Sequence, residues 1–161
     1  MEPSSQSKTS EFSSDIFMIL VTVANLIFFT FFHKYIAWFT TESDGSVTRL
    51  SMLTDEYFIW LPIAITASIL AIVAYTVMIF YNNERFRMTA EIIVITAGVV
   101  VATSLASIFP FDFSVIPNAT AVNVVPIVAR VFFVFLTVFY GITVLIKSIK
   151  LRRYLARQKP N

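Results

Sequence analysis

Four long stretches of this 161-residue chain carry almost no charge, over residues 16–39, 57–81, 89–109 and 124–146. Each is apolar all round a helical wheel, where a surface helix of a soluble domain keeps one polar face. A helix crosses a hydrocarbon core of roughly 30 Å with about 20 apolar residues, so all four stretches are long enough. Membrane-barrel strands alternate apolar with polar positions over about 10 residues, and these stretches do not. The pattern predicts an all-α membrane protein, a bundle of four transmembrane helices over residues 16–146. The Ser-rich segment 1–15 reads as a disordered polar N-tail, and 147–161 as a basic C-tail. Between the spans, 40–56 is a polar, acidic loop with a turn at Asp44-Gly45, and 109–123 is a more apolar loop carrying Pro110 and Pro117.

Composition agrees. Hydrophobic residues make up 57% and charged residues 14%, against about 25% charged in soluble domains. The mean hydropathy is +0.78. The absence of cysteine excludes disulfides, thiolate metal sites and cysteine nucleophiles. A single histidine, His33, excludes any site built on two imidazoles. No cofactor or metal is expected.

Lys and Arg resist translocation and so mark the cytoplasmic loops. Lys8, Arg85, Arg87, Lys147, Lys150, Arg152, Arg153, Arg157 and Lys159 fall on one side, while Lys34 and Arg49 fall on the other. Both termini are therefore expected in the cytoplasm of a cell-membrane protein. The basic C-tail is expected to bind anionic lipids, since each cation near an anionic leaflet contributes about 1 kcal/mol; no nucleic acid is expected.

The candidate functional residues are the polar groups inside the spans, where each is costly unless paired. Arg130 lies about 9 Å inside the fourth span and suits an anionic ligand, a snorkelling contact with lipid phosphate, or a pair with Asp112 or Asp55. His33 and Lys34 end the first span at a similar depth, where with Arg130 they would form a basic patch. Glu91 opens the third span, where the helix dipole favours an anion and Arg87 is an i,i+4 partner. Asn25, in mid-span, is expected to bond across helices. Gly98, Ala102 and Ala106 recur every four residues, a small-residue face that lets helices pack closely. Asn118-Ala119-Thr120 matches a glycosylation acceptor.

Claudin-like proteins and quinone-coupled disulfide oxidoreductases need cysteines, which this chain lacks. Small multidrug transporters need a mid-membrane carboxylate in the first helix, where this chain has Asn25. With no catalytic constellation, the sequence points to a non-enzymatic accessory or scaffold subunit of a larger membrane complex. Its expected partners are the lipid bilayer and other membrane subunits, or further copies of itself. The alternative is a small oligomeric transporter or channel using Arg130 with His33, or Glu91.

Overall fold

A computed structural model describes residues 5–42, 44–81 and 83–158. Residues 1–4 and 159–161, with the side chains of 5–11, lie outside the described residues; Lys8 and Lys159 of the charge pattern are among them. The elements are α1 (Ser5–Ile27), β1 (Ala37–Thr41), β2 (Val47–Ser51), α2 (Tyr57–Phe80), α3 (Glu84–Ile108) and α4 (Ala119–Arg157). A π-helical turn, Phe28–Phe32, and a 3-10 turn, His33–Tyr35, carry α1 into β1. The chain is mostly helical, and four helical segments are long and apolar enough to cross a membrane.

Both tails are more helical than their composition suggests. α1 begins at Ser5, so residues 5–15 of the expected disordered tail continue the helix. Extending a helix that is already nucleated costs far less than starting one, and Asp15 is fixed by a tertiary contact described below. α4 runs for 39 residues to Arg157, a length of about 58 Å, so much of the expected basic tail is helix. Lys, Arg and Leu are good helix formers, and nothing from 147 to 157 interrupts them.

The loop between the first two spans folds as an antiparallel hairpin, with Ala37 opposite Ser51 and Thr41 opposite Val47. Its turn is where Asp44-Gly45 predicts one. Gly45 takes φ 85°, a left-handed value that glycine adopts without steric cost. The Asp44 carboxylate accepts from the Ser46 amide at 2.8 Å, and Thr48 donates to Glu42 at 2.6 Å. The Ser46 hydrogen bonds hold the Asp44 carboxyl below its usual range.

Side-chain contacts fix the helix directions. Asp15 at the start of the apolar part of α1, Arg87 at the start of α3 and Lys147 in the last part of α4 meet at one end of the bundle. At the other end, Phe29 meets Trp60 near the start of α2, and Trp60 reaches Val101 late in α3. α1 and α3 therefore run one way, α2 and α4 the other. The tightest core lies at this second, hairpin end, around Tyr57, Trp60 and Ala64. Here Tyr57 donates to the Phe29 carbonyl at 2.6 Å, supplying a partner where the π turn disturbs the regular i→i−4 ladder. Asn83 and Asn118 cap α3 and α4, each accepting from two backbone amides of the first turn. The Asn118 side-chain oxygen is thus engaged in a helix cap.

Extensive packing joins α1 to α2, α2 to α3, and α3 to α4, and no comparable interface joins α1 to α4 among the described residues. The bundle is open along that seam.

Candidate functional site

Three places bring polar chemistry together. The first is a charged cluster at the end where α1 and α3 begin. Arg87 donates to both oxygens of Asp15, at 2.8 and 2.9 Å, in the bidentate geometry that suits a guanidinium to a carboxylate. Asp15 is 3% exposed. Arg87 also lies 3.8 Å from Glu91, one helical turn on, and Lys147 donates to the other Glu91 oxygen. Among the described residues, two anions and two cations from three helices thus alternate. The expected Arg87–Glu91 pair is present, at a longer distance than the Asp15–Arg87 contacts. Lys147, assigned by its position to a lipid-binding tail, is spent on Glu91. Asp15, at the polar-to-apolar junction, carries no sequence signal beyond being a carboxylate at the edge of a span.

The second place is a central cavity of about 380 Å³ to which all four helices contribute, from Trp60 at the hairpin end to Tyr75 and Tyr140 towards the charged cluster. Asn25 faces it and makes no hydrogen bond across helices among the described residues, contrary to expectation. Gly98 and Ala102 line it too. A side-chain carbon placed at Gly98 would meet nothing within 4 Å, so Gly98 makes room for the cavity and does not draw two backbones together. Ala102 is buried, while Ala106 is half-buried and lies outside the lining.

The third place is a wider mouth of about 610 Å³ at the hairpin end, bounded by Thr54, Glu56, Phe109, Asp112, Arg130 and neighbouring residues. Pro110 is fully buried beside it, and Leu53 bridges to Phe111, so the two loops at this end are held together. α3 stops at Phe109, whose φ of 47° is left-handed and turns its ring under Arg130. The guanidinium sits 4.5 Å from the ring centre, a cation–π contact. Neither Asp112 nor Asp55 pairs with Arg130 among the described residues. Ser114 donates its backbone amide to Asp112 at 2.8 Å, and its hydrogen bonds hold that carboxyl below the usual range. The Thr54 hydroxyl is buried with no hydrogen-bond partner.

His33 does not join Arg130 in a basic patch. Its ring stacks on Tyr57 at 5.2 Å and meets Phe58 edge-on, and its Nδ1 lies 3.0 Å from the Thr30 carbonyl. Among the Phe residues of α4, Phe132, Phe135 and Phe139 are each more than half exposed, whereas Phe133 stacks on Phe111.

No protein-family model, curated protein or solved structure matches this chain.

Proposed function

We propose that this chain is a non-catalytic multi-pass membrane protein, with both termini cytoplasmic, that serves as an accessory or scaffold subunit of a larger membrane complex. The observation that carries this reading is the bulky aromatic outer face of α4. That helix buries none of its residues among the described ones and presents Phe132, Phe135 and Phe139 outward. Its packing is with α3, and the seam towards α1 is left open. Aromatic side chains are enriched in the buried cores of protein interfaces, which suits this face to a partner helix. The single histidine stacks on Tyr57 and meets Phe58 edge-on, and among the described residues no serine or carboxylate is in contact with it.

The transporter alternative has less support. His33 and Glu91 lie outside the lining of the central cavity, and Arg130 lines the mouth at the hairpin end and not the cavity's interior.

Native mass spectrometry of the protein extracted gently from its own membrane tests the proposal. A reproducible set of other polypeptides is expected. A monomer, or copies of this chain alone, would overturn it.

A further inference from the structure

One face of α4 connects the mouth to the central cavity. Val122, Pro126 and Arg130 line the mouth, and Phe133, Leu136 and Tyr140 line the cavity. Successive members are three or four residues apart, which places all six on one side of the helix. α3 supplies the facing wall in the same order, with Gly98, Ala102 and Leu105 along the cavity and Ile108 and Phe109 at the mouth. The two spaces are therefore end to end. The parallel rings of Phe111 and Phe133, 5.9 Å apart, stand where they meet.

The two halves differ in chemistry. The cavity wall is mostly Ala, Val, Ile, Leu and Phe, and from Trp60 to Tyr75 it follows α2 for about 22 Å, a large part of a hydrocarbon core of roughly 30 Å. The mouth carries one cation, Arg130, and two carboxylates, Glu56 and Asp112, with the unpartnered Thr54 hydroxyl among them. An apolar slot opening on a mixed-charge mouth matches an amphiphile whose head bears both charges. A guanidinium fork matches the oxygens of a phosphate, and an ammonium group complements the two carboxylates. A purely anionic head would satisfy Arg130 but face both carboxylates.

We propose that this cleft holds one zwitterionic phospholipid, with its phosphate on Arg130, its ammonium group towards Glu56 and Asp112, and one acyl chain in the central cavity. The bound chain fills the space that the open seam between α1 and α4 leaves inside the bundle. The proposal rests on the membrane placement of the chain and is independent of whether it is an accessory subunit.

The test uses the full chain in nanodiscs of equal palmitoyl-oleoyl phosphatidylethanolamine and phosphatidylglycerol, with native mass spectrometry of the released protein. The expected result is one phosphatidylethanolamine retained per chain, in preference to phosphatidylglycerol. Arg130→Gln removes the charge-assisted contact and should lower retention about tenfold. Gly98→Leu fills the cavity, where there is room for a side chain, and should lower retention by a similar factor with helicity and elution unchanged. Phe135→Ala, on the outward face, should leave retention as it is. Equal retention in Arg130→Gln and Gly98→Leu, equal retention of the two lipids, or no lipid beyond the detergent wash would overturn the site. A chain that does not enter nanodiscs would overturn the membrane placement and this proposal with it, whereas the absence of partner polypeptides would overturn only the subunit reading.

Discussion

Asp15 and Arg87 lie 72 positions apart in sequence yet form a two-pronged ion pair at 2.8 and 2.9 Å. Taking a carboxylate out of water is costly, and the cost is offset only when charge and hydrogen bonds are both returned; Arg87 returns both. Asp15→Ala should therefore destabilise the protein by about 3 kcal/mol, read from denaturant unfolding in bicelles. With Arg87→Ala, the double-mutant cycle should give a coupling above about 1.5 kcal/mol; additive effects would show that the pair does not act as one unit. Asp44 makes a different prediction. Its carboxyl is held below the usual 3.8 by Ser46. A lowered folded value means that the carboxylate's contribution to the turn is complete above 3.8 and is lost as pH falls through the folded value. The Ser46 amide resonance should accordingly titrate with a midpoint below 3.8, and Ser46→Ala, which removes the side-chain hydrogen bond that lowers the Asp44 carboxyl most, should raise the Asp44 midpoint. A Ser46 midpoint at or above 3.8 would contradict the hydrogen-bonded turn.

Among the elements, the end of α1 departs most from regular geometry. Five residues, Phe28–Phe32, wind as a π turn, which places Phe29 edge-on to Trp60 at 5.3 Å and its carbonyl on the Tyr57 hydroxyl. Removing that hydroxyl with Tyr57→Phe should cost about 1 kcal/mol and loosen the π turn, measured by unfolding together with hydrogen exchange at Phe32 and His33. An unchanged exchange rate would mean that ring packing alone holds the turn. The hairpin shows how much an element owes to its neighbours. Its turn is legible in Asp44-Gly45, but strands of five residues in a polar loop carry too weak an alternation to stand out. Contacts with the opposite loop, Leu53 to Phe111 and Thr54 to Pro110, support its base. α4 outruns its apolar stretch for a simpler reason, since Lys and Arg are good helix formers.

The whole molecule has its charged cluster at one end and its aromatic core, hairpin and mouth at the other. Because the chain contains no cysteine, single cysteines report topology cleanly. Ser114→Cys and Thr41→Cys at the hairpin end should react with an impermeant thiol reagent outside the cell, and Ser148→Cys should not. The reverse pattern would invert the proposed orientation.

The hydrophobic pattern by itself determined the number of long apolar helices and the turn at Asp44, because length, apolar content and a left-handed glycine are local properties. It also placed Glu91 beside Arg87, since i,i+4 neighbours are set by helix geometry alone. Tertiary structure decided the rest. It gave Arg87 to Asp15, Lys147 to Glu91 and Arg130 to the Phe109 ring, separated His33 from Arg130, and turned Gly98 towards a cavity. Those outcomes depend on which helix faces meet, and a helix that is apolar all round carries no mark of which face that is. The open seam between α1 and α4 follows from the same cause, because only the packing of side chains across helices could close it or leave it open.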